Sequence, residues 1–350
     1  MQSKKILFLG ETYRPDAQTW MNGLKEFGNF EIITWELKTP NNGLKNRILR
    51  ILEYSKALSK IKKIIKTEKL DFVIAERTTS YGFLAALTNC KNIVIAQQGR
   101  TDLWPESSFL YPLKKAIQKY AFKKATLIHA WGPLMVKHMI DSKVNEKKIL
   151  MIPKGIDLRK FSFKNQTQTK ISAIVTRSLM PEYQHEIILK AFGILNQKNI
   201  DFSLTIVGNG TEKEKLITLS KTLNINEKVI FTNQINNSDL PEWLQKSNFY
   251  ISMPTTEGVS ASLFEAMACG CYPIVSKIDG NESWINHRKN GQLVTVGNVE
   301  MLANEIIWAL ENVSYREKVL IYNNEYVQKN ANYEINMKHI SQKYLQLIDF

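Results

Sequence analysis

Cysteine, long apolar runs and metal-binding motifs are scarce or missing in this 350-residue chain. Its three cysteines, Cys90, Cys269 and Cys271, form no Cys-x-x-Cys pair and no Cys/His spacing typical of a metal site. We therefore expect reduced, buried thiols and a cytoplasmic protein. No apolar run approaches the ~18 residues that a membrane span needs. The run at residues 6–10 is shorter than the ~7–15 apolar residues of a signal peptide and predicts a first strand instead.

Two motifs of other enzyme classes are also missing. FLGETYRPD, after the first predicted strand, holds one glycine and no Gly-x-Gly-x-x-Gly, which argues against a dinucleotide-binding oxidoreductase. The sequence also lacks an Asp-x-Asp motif, which would have suggested a metal-dependent transferase. Among the histidines, we expect His129 in a buried strand and His138, His287 and His339 in solvated positions. The sequence thus predicts neither a metal nor a resident cofactor.

Positive charge is concentrated in one half of the chain. Residues 1–165 carry 30 Lys and Arg against 14 Asp and Glu, whereas the remainder carries 17 against 19. A codon bias toward lysine explains the abundance of lysine but not this asymmetry. A basic half attracts anions such as phospholipid headgroups, phosphorylated substrates or nucleic acid.

Short apolar runs alternate with amphipathic stretches in both halves, which predicts an α/β fold of two doubly wound, Rossmann-like domains facing across a cleft. The predicted strands are Ile6–Leu9, Glu31–Thr34, Phe72–Ala75, Ile93–Ala96, Leu127–Ala130, Ile149–Ile152, Ile171–Thr176, Phe202–Val207, Val229–Thr232, Phe249–Ser252, Tyr272–Ser276 and Gln292–Thr295. The predicted helices of the second half are Glu186–Gln197, Glu212–Thr222, Asp239–Lys246, Ser260–Cys269 and a long tail from Met301 to Phe350. Pro153, Gly155 and a polar run predict domains at 1–153 and 171–325, joined by a linker at 154–170.

Ligands of open parallel sheets bind outside the carboxyl ends of the strands. The loop after Ser252 reads MPTTEGVSASLFEAMACG, with Glu257 in the loop and Ser260 or Ser262 as helix N-cap. Backbone N–H groups from Ser260 to Leu263, with the helix dipole, make an anion site suited to a diphosphate. Alternatively, Ser262 and Glu265 form a capping box that only closes the helix.

The frame EGVSASLFEAMACG, with Glu257 and Glu265 eight positions apart, resembles the signature of the retaining family-4 glycosyltransferases, which have the GT-B architecture. Four further segments resemble that family in the same order. They are IPKGIDLRKF at 152–161, IVGNG at 206–210, PIVS with GNE at 273–282, and NGQLV at 290–294. The resemblance covers about residues 150–312 well and the first half only as a general pattern.

The resemblance implies a role for each matching residue. Glu265 accepts hydrogen bonds from the donor ribose, Glu257 lies beside the donor sugar, and Arg177 holds and stabilises the leaving diphosphate. The remaining implied donor contacts are Gly258, Val259, Ser260, Ala261, Ser262, Leu263, Gly208, Gln234 and Gly10. The acceptor side is expected at Tyr13, Arg14, Gln98, Arg100 and Asp102.

Two positions depart from the family pattern. The family places a lysine a few residues after the arginine, but this chain has Tyr183, Gln184 and His185 there, and a protonated His185 is one substitute. In the first domain, Gln98 stands where many relatives have a histidine. The donor therefore cannot be inferred from standard members.

The resemblance predicts a retaining, metal-independent transfer of a sugar from a nucleotide sugar to a glycan or lipid-linked acceptor, in bacterial surface polysaccharide assembly. The nucleotide would bind the second domain, and the C-terminal helix, 326–350, would cross back to the first. A non-hydrolysing nucleotide-sugar epimerase of the same architecture is one alternative. A basic nucleic-acid-binding protein is another, disfavoured because the aromatic residues are scattered.

Two basic amphipathic stretches, residues 45–69 and 111–124, account for much of the positive charge. The first holds nine Lys or Arg, the densest group being Lys56, Lys60, Lys62, Lys63 and Lys66. Such a helix can lie on an anionic membrane surface at the inner face of the cell membrane. Alternatively, its apolar stripe packs on its own sheet and the basic face is only solvated.

Overall fold

The computed structural model describes residues 3–39, 44–97, 108–165 and 170–347 and divides the chain into two compact units. The first unit comprises residues up to Lys154 together with those from Glu334 onward, and the second spans Gly155–Tyr333. Each unit is built on a six-stranded, all-parallel sheet. All of the predicted strands are present, with ends within two residues of the predicted ones. The α/β fold class is confirmed.

The first sheet has the strand order β2-β1-β3-β4-β5-β6. Its strands are β1 (Lys4–Leu9), β2 (Phe30–Trp35), β3 (Phe72–Glu76), β4 (Ile93–Gln97), β5 (Leu127–Ala130) and β6 (Ile149–Met151), and its helices are α1 (Pro15–Gly28), α2 (Leu44–Glu68), α3 (Phe83–Ala86), α4 (Tyr111–Lys124) and α5 (Pro133–Asp141). The central strands are buried on both faces, as their unbroken apolar sequences require. This order brings the carboxyl ends of β1, β3 and β4 side by side.

The second sheet has the strand order β12-β11-β10-β7-β8-β9. Its strands are β7 (Ile171–Thr176), β8 (Phe202–Val207), β9 (Val229–Asn233), β10 (Phe249–Ser252), β11 (Tyr272–Ser276) and β12 (Gln292–Val294), and its helices are α6 (His185–Gln197), α7 (Lys213–Thr222), α8 (Leu240–Gln245), α9 (Ala261–Cys269), α10 (Asp279–Glu282), α11 (Val299–Glu311) and α12 (Val313–Asn330). Two apolar clusters pack on this sheet and against its helices. Because β10, β7, β8 and β9 are neighbours, the loops that follow them lie along one edge.

The segment predicted as a linker, 154–170, does not behave as one over its described residues. Ile156 and Phe161 are each only 5% exposed and pack in the core of the second unit. The Ile156 N–H donates to the Ala331 carbonyl at 2.8 Å, and the Ile156 carbonyl accepts from Tyr333 N–H at 3.0 Å. The prediction was wrong because it weighed the polar run and overlooked two spaced apolar side chains. The unit boundary falls instead between Lys154 and Gly155.

The predicted helical tail is three helices rather than one. It breaks at Asn312, between α11 and α12, and again before α13 (Tyr333–Leu345). The chain returns to the first unit at Glu334, eight residues after the predicted position. There Tyr344 is fully buried, and its hydroxyl lies 2.7 Å from Nδ1 of His129 on β5.

Helix α2 packs on the first unit through a narrow apolar stripe. Ala57 and Ile61 are 1% and 0% exposed, as the packing alternative requires. The five lysines of its densest basic group are all exposed, and at about 100° per residue they spread over about 160° of the helix surface, with Lys60 flanking the apolar stripe. Within the described ranges, no helix combines the length and the apolar character that crossing a bilayer demands.

Candidate active site

The predicted donor residues of the second unit lie along one edge of its sheet. Arg177 directly follows β7, Gly208 follows β8, Gln234 follows β9, and Glu257 lies in the loop after β10. Neighbouring parallel strands end at the same edge, so the sheet order brings these loops together. Gln234 is exposed there, whereas Arg177 and Glu257 are largely covered.

Arg177 is the centre of the polar contacts at this edge. Its guanidinium donates to both carboxylate oxygens of Glu257, to Ser260 Oγ at 2.5 Å and to Ser252 Oγ at 3.4 Å. Burial alone would lower the pKa of Arg177, but Tyr250 and then the Glu257 carboxylate raise it by more. Arg177 is therefore a permanent cation, as stabilising a diphosphate requires.

Helix α9 begins at Ala261, directly beside the guanidinium of Arg177. Ser260 is the N-cap, and its Oγ accepts from the Leu263 N–H at 3.2 Å. The capping-box alternative is wrong, because Ser262 lies inside the first turn and Glu265 two residues beyond the N3 position. Ser260, only 3% exposed, therefore connects the helix start to Arg177.

Glu265 lies in the second turn of α9 and is partly buried. The pKa of Cys269, one turn further on, is raised to about 12, first by burial and then by the Glu265 carboxylate. Gly258 and Val259 are partly exposed in the loop before the helix, as is Ser262 in its first turn, whereas Ala261 is exposed and Leu263 is buried. Glu265 therefore lies on the same helix as the Ser260 cap but takes no part in capping it.

Two glycines let the loops of this edge approach one another. Gly208 has φ of 147°, and a Cβ there would overlap the carbonyl oxygen of Arg177. Gly280, in α10, would likewise overlap the carbonyl of Glu257. The sequence resemblance includes Gly280 in a matching segment but implies no role for this residue. The sequence signal for Gly280 was the resemblance of Gly280-Asn281-Glu282 to the family segment. The structure places Gly280 against the backbone of the loop that carries Glu257.

His185 does not replace the expected lysine. It is 2% exposed at the start of α6, and its pKa is lowered to about 4 because burial disfavours the imidazolium. A neutral imidazole cannot supply positive charge to a diphosphate near pH 7. Tyr183 instead contacts the arginine, with its ring centroid 5.4 Å from Arg177 Cζ.

In the first unit, a carboxylate and arginine cluster lies at the ends of β1 and β3. Gly10 follows β1, and a Cβ there would come within 2.5 Å of Glu76 Oε2. Arg77 donates to both oxygens of Glu11 at 3.0 and 2.7 Å, and Arg14 donates to Glu11 at 3.4 Å. Tyr13, next to this cluster in the chain, is 68% exposed.

Of this cluster, Glu11, Glu76 and Arg77 were missed by sequence reasoning. The rule that ligands bind after parallel strands would have found Glu76 and Arg77 if it had been applied to the third strand. Arg77 has φ of 62° and opens a π-helical turn, Arg77–Gly82, a feature that no local spacing announces. The predicted acceptor residues Gln98, Arg100 and Asp102 lie outside the described residues.

The histidine predictions divide by environment. His129 is fully buried, as predicted, with Nε2 2.7 Å from the Ile152 carbonyl. His287 and His339 are exposed, as predicted, whereas His138 is only partly exposed. In the part of the chain that the structure describes, no three His, Cys, Asp or Glu side chains are grouped so that they could hold a metal ion.

Comparison with known proteins decides the family. The family model described as glycosyl transferases group 1 matches residues 157–325, and the model described as glycosyl transferase 4-like matches residues 5–130. The chain belongs to the GT-B glycosyltransferases. The two matched ranges correspond to the second and first units, so both halves carry the family pattern.

Individual relatives have low sequence identity to this chain but match most of its length. An uncharacterized glycosyltransferase of Methanocaldococcus jannaschii is 26% identical over 305 residues, covering 80% of this chain and 77% of the relative. A Campylobacter jejuni protein, N-acetylgalactosamine-N,N'-diacetylbacillosaminyl-diphospho-undecaprenol 4-alpha-N-acetylgalactosaminyltransferase, is 24% identical over 281 residues, covering 78% of this chain and 76% of its own. The crystal structure of Anabaena HepE in complex with UDP has a TM-score of 0.78 at 14% identity, covering 98% and 99% of the chains. That likeness confirms the fold.

Proposed function

We propose that this glycosyltransferase transfers a sugar, with retention and without a metal ion, from a nucleoside-diphosphate sugar to a hydroxyl of a lipid-diphosphate-linked glycan. The contact of Arg177 with Glu257 and Ser260 at the start of α9 carries the proposal. It joins a permanent cation, a carboxylate and a helix N-terminus at the edge where parallel sheets bind ligands. The UDP complex of HepE supports a nucleotide donor.

The cluster supplies each requirement of the transfer. As the bond to the anomeric carbon breaks, negative charge grows on the leaving diphosphate, and Arg177 and the amides at the start of α9 stabilise that charge. Glu257 accepts hydrogen bonds from the donor sugar and so orients it. Glu265 accepts from the ribose. A leaving phosphate oxygen takes the proton of the acceptor hydroxyl.

The lipid-linked acceptor and the membrane are supported by relatives and by charge. The Campylobacter relative is named for a diphospho-undecaprenol acceptor. In the first unit of the present chain, the solvent-facing half of α2 carries the exposed Lys56, Lys60, Lys62, Lys63 and Lys66, and also Leu52, which is 59% exposed. Basic side chains with interspersed apolar ones suit the anionic inner face of a cell membrane. The protein would thus be cytoplasmic and peripheral.

Acceptor-dependent release of a nucleoside diphosphate tests this function. The full chain is incubated with UDP-, GDP- and ADP-sugars, with and without a short-chain polyprenyl diphosphate N-acetylglucosamine. We expect release of a nucleoside diphosphate only with the acceptor present, together with a glycosylated lipid product. Conversion of the nucleotide sugar to an epimer without an acceptor would favour the epimerase instead.

A further inference from the structure

The loop after β7 offers a diphosphate one permanent cation. Residues 178–185 contain neither Lys nor Arg, and His185 is neutral because of its burial. Arg177 is already ion-paired with Glu257. Within residues 177–185, Arg177 is therefore the one permanent cation that a bound diphosphate can contact.

Tyr183 lies against that guanidinium and is itself held firmly. It ends a short 3₁₀ turn, Pro181–Tyr183, in which its N–H donates to the Met180 carbonyl at 3.1 Å. The preceding carbonyl, of Glu182, accepts from the Thr255 N–H at 2.8 Å. Thr255 lies two residues before Glu257, so the turn is attached to the loop that carries the carboxylate. The backbone from which the ring projects is thus held by both loops.

We propose that Tyr183 is a positioning residue whose ring fixes the Arg177 guanidinium for the leaving diphosphate. The centroid distance of 5.4 Å is within the range of a cation–π contact. A contact with the ring leaves the edge N–H groups of the guanidinium to donate to Glu257, Ser260 and a phosphate oxygen. The expected effect on turnover rests on the proposed function, whereas the contact between Tyr183 and Arg177 does not.

The ring, rather than the hydroxyl, carries this role, and two variants separate them. Tyr183→Leu should lower kcat about tenfold, or ~1.4 kcal/mol of transition-state stabilisation, while the donor KM changes less than threefold. Tyr183→Phe should restore kcat to within about threefold of the wild type. Tyr322→Leu, at a 43% exposed tyrosine of α12, is the matched control and should leave kcat unchanged. A Tyr183→Phe variant as slow as Tyr183→Leu would overturn the proposal.

A double-mutant cycle asks whether Tyr183 acts through Arg177. In an Arg177→Ala background, Tyr183→Leu should cost less than twofold, because the residue that it positions has been removed. A full tenfold loss in that background would contradict the proposal and would indicate a separate contact with the donor.

Side-chain NMR tests the contact even if the proposed function fails. The guanidinium protons of Arg177 in the full ¹⁵N-arginine-labelled chain should show a ring-current shift that Tyr183→Leu abolishes and Tyr183→Phe keeps. Unchanged Arg177 signals in Tyr183→Leu would overturn the positioning role. A wild-type chain without any transferase activity, but with the shift, would reject the proposed function and leave the positioning contact standing.

Discussion

The guanidinium of Arg177 donates to both carboxylate oxygens of Glu257, and the two side chains are only 13% and 14% exposed. One residue directly follows β7 and the other lies in the loop after β10, so the pairing of these two neighbouring strands brings them together. Such a shielded pair joins the group that we propose stabilises a leaving diphosphate to the group that we propose orients the sugar.

Arg177→Ala should lower turnover more than donor affinity. The leaving diphosphate carries more charge in the transition state than in the bound donor, so the lost contact acts mainly on kcat. Loss of one well-placed donor predicts a fall of ~10²–10³-fold in kcat. Steady-state kinetics check this, with Arg159→Ala, at a 70% exposed arginine, as the control. A raised KM with unchanged kcat would contradict the assignment.

Glu265→Ala should weaken nucleoside diphosphate binding and leave the melting temperature nearly unchanged. Ser260, not Ser262, caps α9, so removing the carboxylate takes away no cap. Lost hydrogen bonds to a charged acceptor predict a binding cost of ~1.5–3 kcal/mol. Isothermal titration with UDP and a melting curve measure the two quantities. Normal binding with a much lower melting temperature would mean a structural role.

Gly280→Ala should impair both stability and turnover. The added methyl group overlaps the Glu257 carbonyl, so the loop that carries Glu257 must move. Overpacking of this kind predicts a loss of ~1–3 kcal/mol in the free energy of unfolding. Gly193→Ala, where the nearest atom belongs to the flexible Leu223 side chain at 3.2 Å, is the control and should be nearly neutral. Full activity in Gly280→Ala would show that the loop tolerates the shift.

Acid should destabilise the protein partly through His129. Burial lowers its folded pKa from 6.5 to about 4, so between those values the unfolded chain binds more protons. Stability therefore falls as the pH drops through this window, by roughly 2 kcal/mol between pH 7.5 and 5 for this histidine. In urea unfolding, the free energy of unfolding of His129→Gln should depend less on pH than that of the wild type. The exposed-site variant His339→Gln should keep the pH dependence of the wild type. Equal slopes in wild type and His129→Gln would refute this.

Charge reversal of the five α2 lysines should abolish binding to anionic vesicles. Near an anionic surface each basic side chain adds ~1 kcal/mol, so five suffice for reversible attachment. Co-sedimentation at physiological salt with phosphatidylglycerol and phosphatidylcholine vesicles measures it. Reversal of Lys190, Lys215, Lys221, Lys246 and Lys277, all in the second unit, is the matched control. Equal partitioning to both vesicle types, or an unchanged result after reversal at α2, would end the membrane proposal.

Strands and donor loops were predictable because they depend on local patterns. Unbroken apolar runs mark buried parallel strands, and a sheet edge collects whatever follows them. The packing of Ile156 was not predictable in the same way, since its backbone partners Ala331 and Tyr333 lie more than 100 residues away. The lowered pKa of His185 was not predictable either, because it depends on how deeply the fold buries the start of α6. The Arg77 conformation likewise has no signature in adjacent residues.

The melting temperature of the full chain in the presence of nucleoside diphosphates tests the central claim most directly. A ligand at ~100 times its dissociation constant stabilises the folded state by ~2.7 kcal/mol. We predict that at least one of UDP, GDP, ADP, CDP or TDP raises the melting temperature, and that Glu265→Ala diminishes the shift. If no nucleoside diphosphate or nucleotide sugar shifts the melting temperature at millimolar concentration, the donor site assigned to Arg177, Glu257 and Glu265 is wrong.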